Sequence, residues 1–374
     1  MQMDVRIKQL AENIIKKSIK LKKGEKVYIE GFSDSVKDLF QELIRQAVKA
    51  GAIPYWQFND NAFIKALVDN ASETQMKEFG QMQARIMAEC DAYVAVRGYD
   101  DLFMMSDIKP KQQALYMKHY YTPVHFNIRV PKTRWCVLRY PNKTMAAVSK
   151  MSVETLENFY FDACLVDYAK MGKAMEALKK LMEKTDKVRI VAPETDLSFS
   201  IKNIPVIASQ GTHNLPDGEV YTAPVKNSIN GVIQFNTDTL YEGEFFSRIR
   251  LEFKNGKIIN GTSAANNQRF QQILNHDEGS RYIGEFAIGV NPYVVKPMLD
   301  ILFDEKISGS LHMAIGNAYD EAFNGNRSDN HWDLVLIQTK EWGGGEIWFD
   351  DKLVRKDGKF VLPELKKLNP ENLK

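Results

Sequence analysis

The sequence predicts an α/β protein with two domains: an N-terminal layered α/β domain with a parallel sheet, and a C-terminal β-rich α+β domain. Three observations support this prediction. The chain of 374 residues exceeds the usual size of one domain. In its first half, short apolar strands alternate with amphipathic helices, with turn residues at the junctions, which is typical of parallel sheets. Beyond residue 185, short apolar runs alternate with Gly, Asn and Asp instead. We therefore place the two domains at residues 1–185 and 186–374.

The first domain begins with an amphipathic helix over residues 5–20, because Ile7, Leu10 and Ile14 recur at helical spacing. The elements that follow are strands at 27–29, 53–58, 92–96 and 135–138, and helices at 35–50, 62–69, 73–89, 110–120, 153–166 and 170–184. The turn after the first strand reads G-F-S and not G-x-G-x-x-G. A dinucleotide-binding role is therefore not indicated.

The second domain is predicted to consist mainly of strands. We expect them at 188–191, 197–201, 232–235, 249–253, 257–261, 335–338, 346–349, 353–355 and 360–362, with helices near 266–275 and 295–303. The pairs Asn255-Gly256 and Asp357-Gly358 lie between neighbouring strands. Both pairs favour tight hairpin turns, because Asn, Asp and Gly tolerate positive φ.

Composition argues against several classes of partner. The 50 Lys and Arg nearly balance the 48 Asp and Glu, which gives a net charge of +2 and favours no polyelectrolyte such as a nucleic acid. No stretch approaches the roughly 18 apolar residues of a transmembrane helix, and the N-terminus lacks the apolar segment of a secretion signal. The cysteines Cys90, Cys136 and Cys164 are too scattered for a disulfide framework. We therefore expect a cytoplasmic location.

The second domain contains residues whose side chains bind divalent metal ions or transfer protons. They are Glu219, Glu285, Glu305, His312, Tyr319, His331 and Asp333. Imidazole nitrogen and carboxylate oxygen together suit borderline-soft divalent ions. In an extended strand alternate side chains share a face, so both ends of H-W-D at 331–333 could bind one ion.

Taken singly, each of these residues also admits a structural role. Glu285 and Asp333 could form buried ion pairs, Glu219 and Glu305 could belong to surface turns, and Tyr319 could serve only in packing. Two common hydrolase signatures, G-x-S-x-G and H-E-x-x-H, do not occur in the sequence. A serine hydrolase of that type and a one-zinc protease of that class are therefore not indicated.

Our hypothesis is that the chain brings five of these residues around one pair of metal ions, since two ions about 3.5–4 Å apart can share a carboxylate and a water.

Five segments of the second domain occur as an ordered set. They are N-L-P-D-G-E-V-Y-T-A-P at 214–224, R-Y-I-G-E at 281–285, L-F-D-E-K at 302–306, L-H-M-A-I-G-N-A-Y at 311–319 and H-W-D at 331–333. In order and approximate spacing, this set resembles the thermophilic aminopeptidase family, metallopeptidases of the aminopeptidase T and aminopeptidase S type. A weaker match that includes Leu10 and G-A-I-P at 51–54 extends the resemblance over the first domain.

The resemblance implies a role for each candidate residue. The metal ligands would be Glu219, Glu285, His312, His331 and Asp333. Glu285 would bridge two divalent ions, for which zinc, cobalt and manganese are all suitable. Tyr319 would stabilise the tetrahedral intermediate, and Glu305 would be either a further ligand or a proton shuttle.

The function expected from this resemblance is that of a metal-dependent aminopeptidase, which removes N-terminal residues from short peptides with a hydroxide activated by two metal ions. The resemblance also implies a homodimer whose site opens into an internal cavity. Two alternatives stay open. One is another dinuclear-metal hydrolase, such as an amidase or a phosphoesterase, and the other is a non-catalytic metal- or peptide-binding protein.

Overall fold

The computed structural model describes residues 4–98, 100–101 and 103–374. Internal contacts divide the chain into two compact units: the first contains the chain up to residue 165 and residues 211–215, and the second contains 166–210 and 216–374. Residues 166–185 thus cluster with the second unit, whereas the sequence analysis assigns them to the first domain. The domain boundary itself stays a prediction. None of the helices in the described ranges combines the length and apolar composition that a membrane crossing requires.

The helices of the described chain follow the predicted positions in most cases. They are α1 (Val5–Asn13), α2 (Lys37–Lys49), α3 (Asn61–Asn70), α4 (Glu73–Ala88), α5 (Pro110–Tyr116), α6 (Val130–Lys132), α7 (Lys143–Val148), α8 (Val153–Cys164), α9 (Tyr168–Met182), α10 (Asn267–Leu274), α11 (Ile301–Asp304) and α12 (Pro370–Leu373). Wider π-helical turns continue α1 through Ile14–Ser18 and α5 through Met117–Arg129.

The strands are more numerous than the sequence analysis expects. They are β1 (Lys26–Phe32), β2 (Ile53–Asn59), β3 (Ala92–Arg97), β4 (Arg134–Arg139), β5 (Lys187–Ala192), β6 (Thr195–Ser200), β7 (Ile207–Ser209), β8 (Asn214–Leu215), β9 (Glu219–Thr222), β10 (Asn230–Gln234), β11 (Thr239–Tyr241), β12 (Glu244–Phe246), β13 (Arg250–Lys254), β14 (Lys257–Thr262), β15 (Ile283–Gly289), β16 (Ser310–Gly316), β17 (His331–Ile337), β18 (Glu346–Phe349), β19 (Lys352–Lys356) and β20 (Lys359–Phe360).

The first unit is built on a parallel sheet with the strand order β2-β1-β3-β4-β8. Its central strands are buried along most of their length, so they carry continuous apolar runs such as Tyr93–Val96 and not an alternating pattern. Helices connect the first four strands, as the β-α-β succession in the sequence requires. The parallel α/β class predicted for this part of the chain is confirmed.

The second unit contains two antiparallel sheets of eight and five strands, together with the two-stranded sheet of β11 and β12. One has the order β14-β13-β10-β6-β5-β18-β19-β20, and the other has the order β17-β16-β15-β9-β7. Residues from both sheets belong to one buried apolar core. The rings of Phe199 on β6 and Phe286 on β15, for example, meet edge to face with their centroids 5.0 Å apart. The sheets therefore bury one face each against a shared core.

Two local predictions have opposite outcomes. The turns at Asn255-Gly256 and Asp357-Gly358 have positive φ at both residues and join antiparallel strands, as expected. The helix predicted over 295–303 is wrong, since only α11 is helical there. Pro297 has no N–H to donate and disfavours helical geometry in the residue before it. The helix begins only after Asp300, whose side chain accepts a hydrogen bond from the Leu302 N–H.

The buried His125 should make the stability of the first unit depend on pH. Its Nδ1 accepts a hydrogen bond from Arg129 Nε at 3.2 Å. Burial, followed by the charges of Arg129 and Arg97, lowers the pKa of His125 to about 3. In the unfolded chain a histidine takes up a proton near pH 6.5. The unfolded state therefore binds more protons between these two values, and the free energy of unfolding falls as the pH decreases through this window.

We expect the His125→Asn variant to lose less stability on acidification than the wild type. The histidine should cost the wild type about 2 kcal/mol at pH 5 relative to pH 8. Thermal unfolding midpoints of both proteins between pH 8 and pH 5 measure the difference. Substitution of the exposed His276 by Asn serves as the control, with a wild-type pH profile expected. Parallel profiles for the wild type and His125→Asn would contradict the prediction.

Candidate metal centre

The five-stranded sheet of the second unit brings the predicted ligands onto neighbouring strands. Glu219 begins β9, Glu285 lies on β15, and His312 lies on β16. His331 and Asp333 lie two residues apart on β17, as the extended geometry of H-W-D predicts. Since the strand order is β17-β16-β15-β9, all five residues lie on adjacent strands of one sheet, although 114 positions separate Glu219 from Asp333 in the sequence.

Side-chain alternation directs the ligands to one face of this sheet. Glu285, Ala314 and Asp333 lie opposite one another on three neighbouring strands, so their side chains share a face. The small Ala314 side chain leaves space between the two carboxylates. The residues that follow these carboxylates, Phe286 and Leu334, point the other way and belong to the apolar core.

A loop that crosses this face contributes two further charged residues, Glu305 and Lys306. It passes close to Gly289, which lies opposite Glu219 in the strand register. A Cβ atom at Gly289 would lie only 2.4 Å from the carbonyl oxygen of Ile307. Glycine is therefore required at this position, since any side chain would displace the loop from the sheet.

The two histidines face the carboxylates at short distances. The Nε2 atom of His312 lies 3.3 Å from Glu285 Oε1, 3.5 Å from Glu219 Oε2 and 3.8 Å from Asp333 Oδ1. The Nε2 atom of His331 lies 3.5 Å from Glu285 Oε2 and 3.6 Å from Asp333 Oδ2. Glu285 therefore directs one carboxylate oxygen toward each imidazole, which is the arrangement expected of a shared ligand.

The candidate ligand atoms form overlapping groups whose members all lie within 4.8 Å of one another. The buried groups are Glu219 with Glu285 and His312, Glu285 with His331 and Asp333, and Glu305 with His312 and Asp333. Glu285 belongs to the first two groups. The structure thus brings together all five residues that the sequence analysis names as metal ligands, and it adds Glu305 at their edge.

Several buried polar atoms of this cluster have no hydrogen-bond partner within the described chain, and a metal ion would satisfy them. These atoms include Glu219 Oε2, His331 Nε2 and Asp333 Oδ1. The Nδ1–H of His331 donates to the Asn317 carbonyl at 2.9 Å, which leaves the Nε2 lone pair of the neutral ring directed at the carboxylates. Buried polar atoms rarely stay unpaired. The donor set therefore fits divalent metal ions held by oxygen and nitrogen.

Burial and mutual charge shift the pKa values of these groups strongly. Burial raises the pKa of Glu219 to about 8 against the opposing charge of Lys306. For Glu285 the cost of burial is outweighed by the attraction of the His312 and His331 rings that face its two oxygens, and its pKa falls to about 2. Although burial disfavours the imidazolium forms, the surrounding carboxylates raise the pKa of His312 to about 9 and that of His331 to about 10. The metal-free cluster thus retains protons on both histidines at neutral pH.

Lys306 is the residue of this site that the sequence analysis did not identify. Its Nζ lies 2.6 Å from Glu219 Oε1, 2.7 Å from Glu305 Oε1 and 3.7 Å from Asp217 Oδ1, and the residue is 1% exposed. Against the desolvation that burial imposes, these three carboxylates raise the pKa of Lys306 well above its usual value. The alternative that residues 304–306 form a solvated turn is therefore wrong, since all three are buried.

The two residues with predicted catalytic roles lie at the edge of the cluster. The ring of Tyr319 packs against His331 with centroids 4.5 Å apart, and it meets Tyr221 at 6.1 Å. Desolvation and then the charges of Glu285 and other carboxylates raise the pKa of Tyr319 well above its usual value, although 45% of the residue remains exposed. Burial raises the pKa of Glu305 as well. The Tyr319 hydroxyl therefore keeps its proton near neutral pH, and the Glu305 carboxylate takes up a proton more readily than an exposed carboxylate does.

Comparison with known proteins provides independent information on this chain. The model of the family described as thermophilic metalloprotease (M29) matches residues 3–359. The chain belongs to this family. Membership of M29 confirms the resemblance found in the sequence and the expected metallopeptidase class, and it implies that the protein uses divalent metal ions.

Several relatives of this M29 protein are named as aminopeptidases. Aminopeptidase AmpS of Bacillus subtilis is 24% identical over 368 residues, with 87% of each chain covered. Aminopeptidase T of Thermus thermophilus is 24% identical over 358 residues, with 86% of this chain and 87% of the relative covered. The similarity thus extends over nearly the full length of both proteins.

Two solved structures with the same fold belong to proteins that are named for different activities. Wild-type AmpT from Thermus thermophilus aligns with a TM-score of 0.77 at 22% identity, covering 96% of this chain and 99% of its own. The 2,5-dihydroxypyridine dioxygenase from Pseudomonas putida aligns with a TM-score of 0.62 at 15% identity, covering 98% and 100%. These alignments confirm the mixed α/β fold, while the chemistry has to be argued from the residues of the site.

The metal affinity of this M29 protein should rise with pH. With pKa values of about 9 and 10, His312 and His331 are protonated in the metal-free protein at neutral pH. Each ring has to lose its proton before it can bind a metal ion, so metal binding releases protons. We expect tighter Zn²⁺ binding as the pH rises from 6 to 8. Calorimetry in buffers with different ionisation enthalpies measures the released protons, and binding without proton release would contradict the prediction.

Filling the space between the two carboxylates should prevent metal binding without unfolding the sheet. We expect Ala314→Leu to weaken Zn²⁺ binding by roughly 100-fold, since its side chain would lie between Glu285 and Asp333. The control is Met313→Leu, a substitution of similar volume on the core face of the same strand, which should leave metal affinity unchanged. Calorimetric titration measures affinity and circular dichroism verifies the fold. Wild-type affinity in Ala314→Leu would show that metal ions bind elsewhere.

Proposed function

We propose that this M29 protein is a metal-dependent aminopeptidase that removes N-terminal residues from short peptides with two divalent ions. One observation carries the proposal: Glu285 belongs to two ligand groups, one with Glu219 and His312 and the other with His331 and Asp333. A carboxylate shared in this way is what a pair of metal ions requires. The aminopeptidase names of relatives that align over most of the chain support the choice of substrate.

In this proposal Glu219, Glu285, His312, His331 and Asp333 would hold the two ions, which would supply Lewis acidity for the scissile carbonyl and for the attacking water. The neutral Tyr319 hydroxyl donates a hydrogen bond to the oxygen that becomes negatively charged in the transition state. The ionised form of Glu305, which Lys306 contacts at 2.7 Å, would accept the proton of the attacking water and pass it to the leaving amine. Neither Glu305 nor Tyr319 is one of the five proposed metal ligands, so both side chains can take part in the reaction while the ligands hold the ions.

The identity of the ions, the assembly and the location also belong to the proposal. Three carboxylates and two imidazoles suit zinc, cobalt and manganese. A homodimer agrees with the resemblance, and a cytoplasmic location agrees with the three buried cysteines, which form no disulfide bond in the described chain. Metal analysis of the purified protein, together with its mass in solution, tests these points directly.

The substrate class can be tested with three chromogenic compounds and metal-loaded protein. We expect hydrolysis of leucine p-nitroanilide, and no hydrolysis of its N-acetyl derivative or of p-nitrophenyl phosphate. Hydrolysis of the acetylated compound would indicate an amidase, and hydrolysis of the phosphate would indicate a phosphoesterase. Metal binding without hydrolysis of any of them, or of a set of short peptides with free N-termini, would favour a non-catalytic binding protein.

The catalytic role of Tyr319 predicts a specific kinetic defect. We expect Tyr319→Phe to lower kcat by roughly 100-fold or more, with metal content unchanged, because one hydrogen bond to the oxyanion is lost. Tyr221→Phe provides a matched control, since this neighbouring hydroxyl donates to Glu321 at 2.8 Å and has no assigned role in the reaction. Steady-state kinetics and metal analysis of both variants test the assignment. Equal activities of the two variants would show that Tyr319 serves only in packing.

A further inference from the structure

Lys306 places a fixed positive charge at one end of the proposed metal centre. Its ammonium contacts Glu219 and Glu305 at 2.6 and 2.7 Å, and Asp217 lies 3.7 Å away. Each of these carboxylates is at least nine-tenths buried. In so enclosed a setting, loss of the ammonium would leave buried carboxylates without a partner, so these contacts belong to the site.

Of the two ligand groups that share Glu285, the ion pairs of Lys306 reach only the group that contains Glu219. Glu219 directs Oε1 at Lys306 and has only Oε2 left for a metal ion that would also bind Glu285 and His312. In the other group, the ion pairs of Glu285 and Asp333 within the described chain involve only histidines. A metal ion bound to Glu219 would therefore lie close to the positive charge of Lys306. For an ion bound by Glu285, His331 and Asp333, no ligand contacts this ammonium.

We propose that Lys306 makes the two metal positions unequal, so that the position at Glu219, Glu285 and His312 binds its ion more weakly than the position at Glu285, His331 and Asp333. Two effects act in the same direction. The ammonium repels a divalent ion on the neighbouring carboxylate, and its hydrogen bond to Glu219 reduces the electron density that the carboxylate can donate. Lys306 is in this sense a positioning residue for the metal ions. The inference rests on the metal centre proposed above.

The experiment is a calorimetric titration of Zn²⁺ into the full-length protein after dialysis against a chelator. For the wild type we expect two binding steps whose Kd values differ by at least about tenfold. In Lys306→Met the weaker step should tighten by about tenfold or more, while the tighter step changes little. The control is Lys257→Met, which removes the same charge from an exposed position on β14. It should titrate like the wild type.

Each other outcome overturns the inference in a recognisable way. Two equal steps in the wild type, or a weaker second step in Lys306→Met, would show that the lysine does not oppose the ion beside Glu219. If Lys306→Met does not fold, two variants that keep Lys306 assign the binding steps to the two positions. Glu219→Gln should remove only the weak step, and Asp333→Asn should remove the tight step. The reverse assignment would overturn the inference.

Failure of this inference differs from failure of the proposed function. Two equal Zn²⁺ steps in a protein that hydrolyses leucine p-nitroanilide would refute the role of Lys306 alone. A protein that binds no Zn²⁺ at all would refute the proposed metal centre together with the inference.

Discussion

The candidate site depends on the alternation of side chains along β15, β16 and β17. One face of these strands carries Phe286, Met313 and Leu334 into the apolar core. The other face presents carboxylates and imidazoles, because successive side chains point to opposite sides of a strand. A shift of one residue in the register would bury the charged groups in the core and expose the apolar ones to the ion site. The core therefore fixes the positions of the ligands, and metal binding need not organise them.

The second constraint is electrostatic. The carboxylates of Asp217, Glu219, Glu285, Glu305 and Asp333 lie together in a buried part of the second unit. Lys306 contacts the first, second and fourth of them, and the two histidines face the others. So many negative charges repel one another strongly away from water. The raised pKa values of both histidines and of Glu219 show how the metal-free cluster reduces this repulsion, namely by retaining protons. Divalent ions supply the same positive charge more compactly, and they also satisfy the unpaired oxygen and nitrogen atoms.

Sequence reasoning reached the fold class and the ligand set by different routes. Turn residues and helical periodicity were sufficient for the parallel sheet of the first unit. The strands β9, β15 and β16 were not predicted, because small residues such as Ala287 and Ala314 on the ligand face remove the polar-apolar alternation that identifies a strand. Resemblance to a family supplied the ligands that periodicity could not. The sequence does not identify Lys306, because three consecutive charged residues at 304–306 are typical of a solvated turn. Only the structure shows that this segment is buried.

Proteins that share this fold are named for different reactions, and the structure indicates which part of the site can differ between them. Proteins named as an aminopeptidase and a dioxygenase both align with nearly all of this chain, so the layered sheets do not specify one reaction. The candidate ligands on β9, β15, β16 and β17 are fixed by the core behind them. Glu305 and Lys306, by contrast, lie on a loop that crosses the ligand face at Gly289 and contributes no strand to the sheet. Substitutions in this loop can change the charge and proton transfer around the ions without altering any strand of the sheet, so the loop is where we expect relatives to differ in metal use.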